Sequence, residues 1–467
     1  MDPGPSGGAP CSTDLDCQLN GECSGGVCKC DAAWRGANCS RLALLPAKAA
    51  NGYGRLGGNV SSWGAQVVYD PARSMYVMHV AEMAGHCGLG TWGTNSRCVI
   101  AEASDPNGPY TRVRTLIDPW CHGPALGRDP VSGRWIWTHM GNGSASRAGQ
   151  PNGCLQCRDG NTGTAARTNP ADPRSPVKYF PCPRNDGAVN TGVGLISPGA
   201  AGPWTPAGKL LESGGNSEPV FLDNGTLYFV SAGGVRCVDP KSGAPTGLCP
   251  AGCTTNSFIG MRRAETLDDA LKGNYTGWFG VRGPAKLGGT NDSVLCVSWE
   301  DQTLYIDARG NFHMLAHAYR GDNTDYPLPG CRKSVNTSRG MVAPGPCSSA
   351  GGHGYSRDGM EWFVSPVAAY TAETEFEDGS VVNWRARERP HVVMQGHQPA
   401  FLLNGVGEPF VVNCSQSPAA CQCKGSPYYP CPPQTGGSNT GGPGGDRTFT
   451  LIQPIARGRD NPNAWDP

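Results

Sequence analysis

Carboxylates, histidines and tryptophans recur at the starts of short apolar segments along this chain of 467 residues. Glu218 stands directly before Pro219 and an apolar run, and Glu300 and Asp301 open another such run. Two carboxyl groups held in one site can divide the work of general acid and general base, so these three residues are the candidate catalytic groups. The candidate ligand-binding residues also lie at or just before such runs; they are Trp63, Trp120, His122, Trp299 and His397.

The apolar segments are predicted to be β-strands, because they are short, rich in β-branched and aromatic residues, and bounded by turn-forming residues. Five times, such a strand leads through an Asp/Asn-x-Gly type of turn to a second, aromatic-rich strand; the units start near residues 64, 123, 218, 301 and 398. Helical periodicity is absent except at 264–271, where one or two turns are predicted. The repetition predicts an all-β fold, a five-bladed β-propeller in which each repeat buries one face against the next. A β-sandwich is the competing interpretation, but it would need more even strand spacing.

Composition excludes several classes of function. Lys+Arg and Asp+Glu each number 38, so no net charge marks a surface for nucleic acid or an anionic membrane. The 68 glycines and 41 prolines favour frequent turns over long helices. No apolar run approaches the ~20 residues of a membrane span. We therefore predict neither a nucleic-acid partner nor a membrane span.

The cysteine content indicates an oxidising compartment. The chain has 22 cysteines, an even number, as is typical of secreted proteins. Asn-x-Ser/Thr sequons point to an extracellular glycoprotein as well; their asparagines are Asn38, Asn59, Asn142, Asn224, Asn274, Asn291, Asn336 and Asn413. The first residues contain no basic or apolar signal segment, so this location requires a secretion signal outside the numbering. We predict a protein that is secreted or associated with the cell surface or cell wall.

Six cysteines near the N-terminus follow the spacing C-x5-C-x5-C-x4-C-x-C-x8-C. Six cysteines alone leave many pairings open. With Asn20-Gly21 before the third cysteine, and Trp34 and Gly36 between the last two, the segment resembles the EGF-like family. The resemblance implies the disulfides Cys11–Cys23, Cys17–Cys28 and Cys30–Cys39, and the uncharged residues before the first cysteine imply no calcium. We interpret the segment as a spacer, with a specific protein-binding role as the alternative.

These patterns divide the chain into five parts. They are an N-terminal tail (1–10), an EGF-like domain (11–40), a linker (41–52), the propeller (53–460) and a C-terminal tail (461–467). The number of cysteines is even within each of the five repeat units. Disulfides are therefore expected to join loops within one unit.

The five units resemble the five-bladed propellers of glycoside hydrolase family 43 and its relatives. The resemblance rests on strand starts of the acid-Pro-aliphatic type, such as Glu218-Pro219-Val220, and on Ser-Asp-Gly-like turns with an aromatic residue, as at 356–362. That family cleaves arabinan- and xylan-type glycans with inversion, using a base Asp, a second Asp and an acid Glu on its first three blades. Carried across by position, Glu218 matches the acid, whereas Ala65 stands at the base position and Gly123 at the second.

Since two of the three carboxylates are missing, the sequence predicts a glycosidase-like propeller that binds glycan or matrix components without cutting them. The alternative is a glycoside hydrolase of the arabinan or xylan type in which Glu218 is the acid and Asp301 or Glu300 supplies an unconventional base. A third possibility is a structural subunit of an extracellular assembly. Other enzyme signatures are missing, namely the Gly-x-Ser-x-Gly elbow, the His-Glu-x-x-His helix and the phosphate loop.

The central face of the predicted propeller is the expected site for a sugar. Trp63, Trp120 and Trp299 could stack on sugar rings while polar neighbours bind the hydroxyl groups; alternatively, these tryptophans wedge between blades as core. His122 and His397 each lie one residue before a strand start. They could face each other or a metal, and a structural pair is favoured, so neither metal nor cofactor is predicted. The expected partners are a glycan or an extracellular matrix or cell-surface protein.

Overall fold

A computed structural model of the chain describes residues 6–54, 60–84, 89, 92, 96–118, 121–141, 156–157, 164–167, 177–180, 193–207, 215–232, 259–280, 299–318, 350–359, 361–365, 367–384, 386–407 and 448–457. Within these ranges the protein is all-β apart from the helix α1 (Leu267–Leu271). This helix confirms the one predicted at 264–271, and it begins after Thr266, whose hydroxyl accepts a hydrogen bond from the Asp269 N–H. No helix in the described ranges is long and apolar enough to cross a membrane.

The N-terminal module, residues 6–42, consists of short strands and three disulfides. Its strands are β1 (Gly7–Pro10), β2 (Gly21–Ser24), β3 (Val27–Cys30), β4 (Trp34–Arg35) and β5 (Arg41–Leu42). Disulfides join Cys11 to Cys23, Cys17 to Cys28 and Cys30 to Cys39, the pairs that the cysteine resemblance implies. A module this small buries too little apolar surface to fold by its core alone, so the bridges supply much of its stability.

Five antiparallel sheets follow along the chain. The first sheet contains β6 (Ser61–Asp70), β7 (Met75–Met83), β8 (Ser96–Ala103) and β9 (Thr111–Ile117). The second begins with β10 (His122–Arg128) and β11 (Trp135–Met140); a separate small sheet of β12 (Gln156–Cys157), β13 (Thr164–Arg167) and β14 (Val177–Phe180) is inserted before its β15 (Val193–Ser197) and β16 (Thr205–Pro206). The third contains β17 (Gly215–Phe221), β18 (Leu227–Ala232), β19 (Ile259–Ala264) and β20 (Thr276–Gly280).

The fourth sheet contains β21 (Trp299–Ile306), β22 (Phe312–Ala318), β23 (Ala350–Ser356) and β24 (Phe363–Val364). After the hairpin of β25 (Glu373–Glu375) and β26 (Val381–Asn383), the fifth sheet contains β27 (Arg387–Gln395), β28 (Gln398–Val406) and β29 (Phe449–Pro454). Strands are hydrogen-bonded in chain order within each of the five sheets. Each sheet therefore forms locally, which is the arrangement expected of tandem strand-turn-strand repeats.

Neighbouring sheets meet through their first strands. β6 contacts β10, β10 contacts β17, β17 contacts β21, β21 contacts β27, and β27 contacts β6. The apolar cores lie between successive sheets; examples are Val77 with Trp137, Ile136 with Phe229, Val230 with Met314, and Phe401 with Met78. Each first strand thus contacts the first strand of the next sheet, and β27 contacts β6.

Two sequence-based expectations are wrong. The fifth unit starts with β27 at Arg387, and the start assigned near residue 398 is the second strand, β28. The reason is that β28 is buried on both faces and reads as an apolar strand start, whereas β27 opens with charged residues. Also, the disulfide between Cys98 and Cys121 joins β8 of the first sheet to the residue before β10 of the second, so it is not confined to one unit.

The linker and the N-terminal module pack against the sheets. Leu44 and Tyr53 form bridges with Ile455 and Thr450 respectively, so the linker runs beside β29 at the edge of the fifth sheet. Trp34 is buried, with its ring 4.6 Å from that of His353 on β23. Arg309 donates to the Leu19 carbonyl at 2.8 Å and also pairs with Asp31 of the module. The module is thus a packed part of the structure.

Candidate functional site

All five first strands are irregular at the same point. The register of each with its second strand shifts there, which is a β-bulge. The bulge residue has a positive φ in every case: Gly64 (66°), Gly123 (55°), Asn216 (54°), Asp301 (54°) and Arg389 (49°). Glycine adopts this conformation freely, and Asn and Asp tolerate it, but it is uncommon for Arg. Such backbone is typical of places where a sheet must aim particular side chains.

The bulges surround one pocket, the central pocket, which has a cavity volume of about 50 Å³. Its lining consists of Gly64-Ala65-Gln66, Gly123-Pro124-Ala125, Asn216-Ser217-Glu218, Asp301-Gln302 and Arg389-Pro390-His391. Counted from the bulge residue, Glu218 is equivalent to Gln66 rather than to Ala65, and Asp301 is equivalent to Gly123. Every sheet therefore contributes to one site, as expected for side chains at the ends of clustered strands.

Asp301 is the most perturbed carboxyl group of the pocket lining. It is 5% exposed, and its Oδ1 lies 3.2 Å from Nη2 of Arg389 and accepts a hydrogen bond from the Asn216 amide. Burial raises the pKa of Asp301 to about 7; the Arg389 guanidinium opposes this rise, and the neighbouring carboxylates of Glu300 and Glu388 add to it. Asp301 can therefore hold or release a proton near neutral pH.

Glu218, the second carboxyl group in the pocket, is buried among different partners. The Thr303 hydroxyl donates to its Oε1 at 3.1 Å, and Nδ1 of His391 lies 3.6 Å from the same oxygen. Thr303 Oγ1 is also 3.4 Å from His391 Nδ1. The Glu218 carboxylate is thus held between a hydroxyl donor and an imidazole.

The side chain of Arg389 occupies the space beside the two glycine bulges. A Cβ added to Gly64 would lie 2.4 Å from Cδ of Arg389, and one added to Gly123 would lie 2.4 Å from its Nη1. No side chain fits at either position while Arg389 keeps this conformation. The aliphatic part of the Arg389 side chain thus fills the space at Gly64 and its guanidinium fills the space at Gly123, while Ala65 adds no carboxylate.

Asp301 also belongs to a group of ligating side chains with Glu300, His317 and Glu388. One ligand atom from each lies within 4.8 Å of the others. His317 Nδ1 is 3.4 Å from Glu300 Oε1, and its Nε2 is 3.8 Å from Glu388 Oε1. Burial lowers the pKa of His317, but the three carboxylates outweigh this effect and the pKa is raised. Carboxylate oxygens and imidazole nitrogens are common cation ligands, so among the described residues this group could hold a cation.

The aromatic candidates occupy other positions than the sequence suggested. Trp63 and Trp299 are buried, and their indoles lie against Gly405 and Gly352. Neither is part of the pocket lining given above. Trp120 lies outside the described residues. The two described tryptophans are therefore packed as core, which was the alternative interpretation.

The histidine candidates do not form a pair. His122 is buried at the start of β10, directly before the pocket residue Gly123. His397 is exposed in the β27–β28 turn, at the other end of β27 from the pocket. The expectation that the two face each other is wrong, because it followed from the misplaced start of the fifth unit. The residue of that sheet which lines the pocket is His391.

Sequence reasoning missed Asn216, Gln302, Arg389 and His391. The sequence could have indicated Arg389 and His391. At Arg389-Pro390 a proline follows the bulge residue, as it does at Gly123-Pro124. Of the candidate catalytic residues, Glu218 and Asp301 meet in the pocket, whereas Glu300 is absent from its lining and pairs with His317.

No protein-family model matches the chain. No curated protein matches it either. Among solved structures it is similar to an endo-arabinase from Bacteroides thetaiotaomicron (12% identity, 85% of this chain and 95% of that one, TM-score 0.40). Others are the catalytic domain of a GH62 alpha-L-arabinofuranosidase from Coprinopsis cinerea (8%, 88% and 95%, 0.43) and a xylan beta-1,4-xylosidase from Bacillus halodurans (11%, 87% and 55%, 0.42). At these identities and TM-scores the likeness assigns neither a family nor an activity to the chain.

Proposed function

We propose that this chain is a glycoside hydrolase whose acid–base pair is Asp301 and Glu218. The observation that carries the proposal is that both carboxyl groups line the central pocket. Cleavage of a glycosidic bond needs one carboxyl group to protonate the leaving oxygen, and a second, ionised one to activate water or attack the sugar. The sequence has no carboxylate at Ala65 or Gly123, the positions where the family resemblance implies one. We assign the second carboxyl group to Asp301 on the fourth sheet.

The surroundings of the two groups favour Asp301 as the proton donor. Burial raises the pKa of Asp301 to about 7, so it keeps its proton in mildly acidic solution. Glu218 accepts a hydrogen bond from the Thr303 hydroxyl, and Nδ1 of His391 lies 3.6 Å from the same oxygen. Two carboxyl groups in contrasting environments are the arrangement by which enzymes separate acid from base. These roles reverse those implied by the family resemblance, in which Glu218 is the acid.

We further infer that the five sheets are the blades of one closed five-bladed propeller. This inference is supported by the contacts of the first strands, which run from β6 through β10, β17 and β21 to β27 and back to β6. A closed ring of this kind leaves only short, protected sheet edges.

We also infer that the N-terminal module is EGF-like and that the protein is an extracellular glycoprotein. The three disulfides of the module and the bridge between Cys98 and Cys121 support an oxidising compartment. Among the sequons, Asn224 and Asn274 are exposed and Asn38 is half-buried. The remaining sequon asparagines, Asn59, Asn142, Asn291, Asn336 and Asn413, lie outside the described residues.

A second candidate function is glycan binding without turnover, alone or within an extracellular assembly. The observation that favours it is the position of Arg389, whose side chain fills the space at Gly64 and Gly123. A pocket occupied in this way could hold a sugar through polar contacts and yet lack room for a catalytic water beside the first two sheets.

The test is hydrolysis of arabinan, xylan and aryl glycosides by protein secreted from a eukaryotic host. Released sugars should fall about 100-fold or more in Glu218→Gln and in Asp301→Ala; Ala is chosen because Asn before Gln302 and Thr303 would create a glycosylation sequon. Asp223→Asn, in the exposed β17–β18 turn, is the matched control and should retain activity. Activity should decline as the pH rises through about 7, where Asp301 loses its proton. A rise through the same range would give the acid role back to Glu218.

The same preparations distinguish the two functions. Binding to a polysaccharide array without any released sugar would favour the glycan-binding function and rule out the hydrolase on those glycans. Hydrolysis that survives both substitutions would show that the reaction takes place at another site.

A further inference from the structure

Trp92 is a partly exposed aromatic side chain near the first two of the five sheets. It lies in the connection between β7 and β8 and is 37% exposed, whereas Trp63 and Trp299 are buried. Among the described residues, the other large hydrophobic side chains with comparable exposure are aliphatic. A partly exposed indole offers a flat apolar surface on which a ligand can pack.

Trp92 is linked to the second sheet through Ser96. The Ser96 hydroxyl donates to the Trp92 carbonyl at 2.6 Å. The N–H of Cys121 donates to the Ser96 carbonyl at 3.2 Å, and the Cys98–Cys121 disulfide ties the same two segments together. Ser96, which bonds to Trp92, is thereby held against Cys121, the residue that precedes β10 of the second sheet.

The ring of His122 packs against the Trp92 indole. The two ring centroids are 5.2 Å apart with the planes tilted by 35°. His122 is 2% exposed, and its Nδ1 is buried with no hydrogen-bond partner. Burial, aided by the charge of Arg389, lowers the pKa of His122, so the ring is neutral. Gly123, which directly follows His122, lines the pocket, so His122 links the partly exposed Trp92 ring to a pocket-lining segment.

We propose that Trp92 forms an aromatic subsite beside the central pocket, which stacks on a second sugar ring of an oligosaccharide held at Asp301 and Glu218. The proposal rests on the proposed function and makes its substrate a chain of sugars rather than a single one. The exposed part of one indole matches the C–H face of one sugar ring, and it is far smaller than the roughly 800 Å² per partner of a stable protein interface. His122 is the positioning residue that fixes the angle of the indole.

The experiment measures binding as a function of chain length. Xylo- and arabino-oligosaccharides of one to six units are titrated by calorimetry into the Glu218→Gln protein, in which the probes stay intact. Trp92→Ala, Trp92→Phe and His122→Gln are compared in this background. Val113→Ala, which removes an exposed apolar side chain from β9, is the matched control.

Affinity should increase from the monosaccharide to the trisaccharide, and Trp92→Ala should remove about tenfold of this gain while leaving the monosaccharide affinity unchanged. Trp92→Phe should retain most of the gain, and His122→Gln should lose an intermediate part. As a measurement that needs no variant, trisaccharide but not monosaccharide should protect Trp92 of the unsubstituted protein from oxidation by N-bromosuccinimide, read by mass spectrometry.

Two results would overturn the subsite. If Trp92→Ala binds every chain length as its parent does, or if Trp92 is oxidised equally with and without trisaccharide, Trp92 is not in contact with the ligand, and the hydrolase proposal stands without it. If no protein binds any probe and no glycan is cleaved, the proposed function fails and the subsite fails with it.

Discussion

The pKa of Asp301 predicts a measurable pH dependence of folding stability. An ordinary Asp side chain titrates near 3.8, whereas burial raises the pKa of Asp301 to about 7 in the folded protein. Between these values the folded state holds a proton that the unfolded chain has released. Stability therefore falls as the pH rises through this window. From pH 4.5 to 6.5, Asp301 should lower the free energy of unfolding by about 2.5 kcal/mol, at 1.36 kcal/mol per pH unit for a nearly complete proton.

Asp301→Ala should remove this contribution. The substitution also changes the pairing with Arg389, but that effect is nearly constant with pH, so it cancels when the pH dependence of the two proteins is compared. Urea unfolding with intact disulfides at pH 4.5, 5.5 and 6.5 would give the free energies. The difference between variant and parent should shift by about 2.5 kcal/mol in favour of the variant as the pH rises, with Asp223→Asn as the control. Parallel curves for parent and Asp301→Ala would refute the raised pKa, and with it the role of proton donor.

Three further predictions concern the scaffold. Trp34→Ala should undock the N-terminal module from His353, lower the free energy of unfolding by about 3 kcal/mol and expose the linker to limited proteolysis, whereas an unchanged cleavage pattern would contradict the docking. Replacing Cys98 and Cys121 by Ser should cost about 3 kcal/mol in urea unfolding, given their separation of 23 residues, and an unchanged midpoint would show that the bridge does not restrain the two sheets. Arg387→Met should lower the free energy of unfolding by about 3 kcal/mol or more in the same assay. The fully buried guanidinium donates to backbone and amide oxygens that would lose their partner. Full stability in this variant would mean that those oxygens find other donors.

Local patterns along the chain predicted the repeats and much of the strand content. Four of the five unit starts, near residues 64, 123, 218 and 301, coincide with first strands that contribute to the pocket. They were readable because an apolar strand start next to a turn signal is a local property. The cysteine spacing of the module is local in the same sense. The fifth start was misplaced because β27 opens with charged residues that only become buried when the other four first strands surround them.

The sequence by itself determined an all-β repeat protein, the disulfide-rich N-terminal module and the presence of Glu218 and Asp301 at strand starts. Only the tertiary structure decided that these two carboxyl groups share a pocket, because three other strands separate β17 from β21 in the chain and the two meet through direct contact. It also placed Arg389 against Gly64 and Gly123, and it buried Trp63 and Trp299 while leaving Trp92 exposed. Burial and charge pairing arise from residues distant in sequence, so the raised pKa of Asp301 exists only in the folded protein.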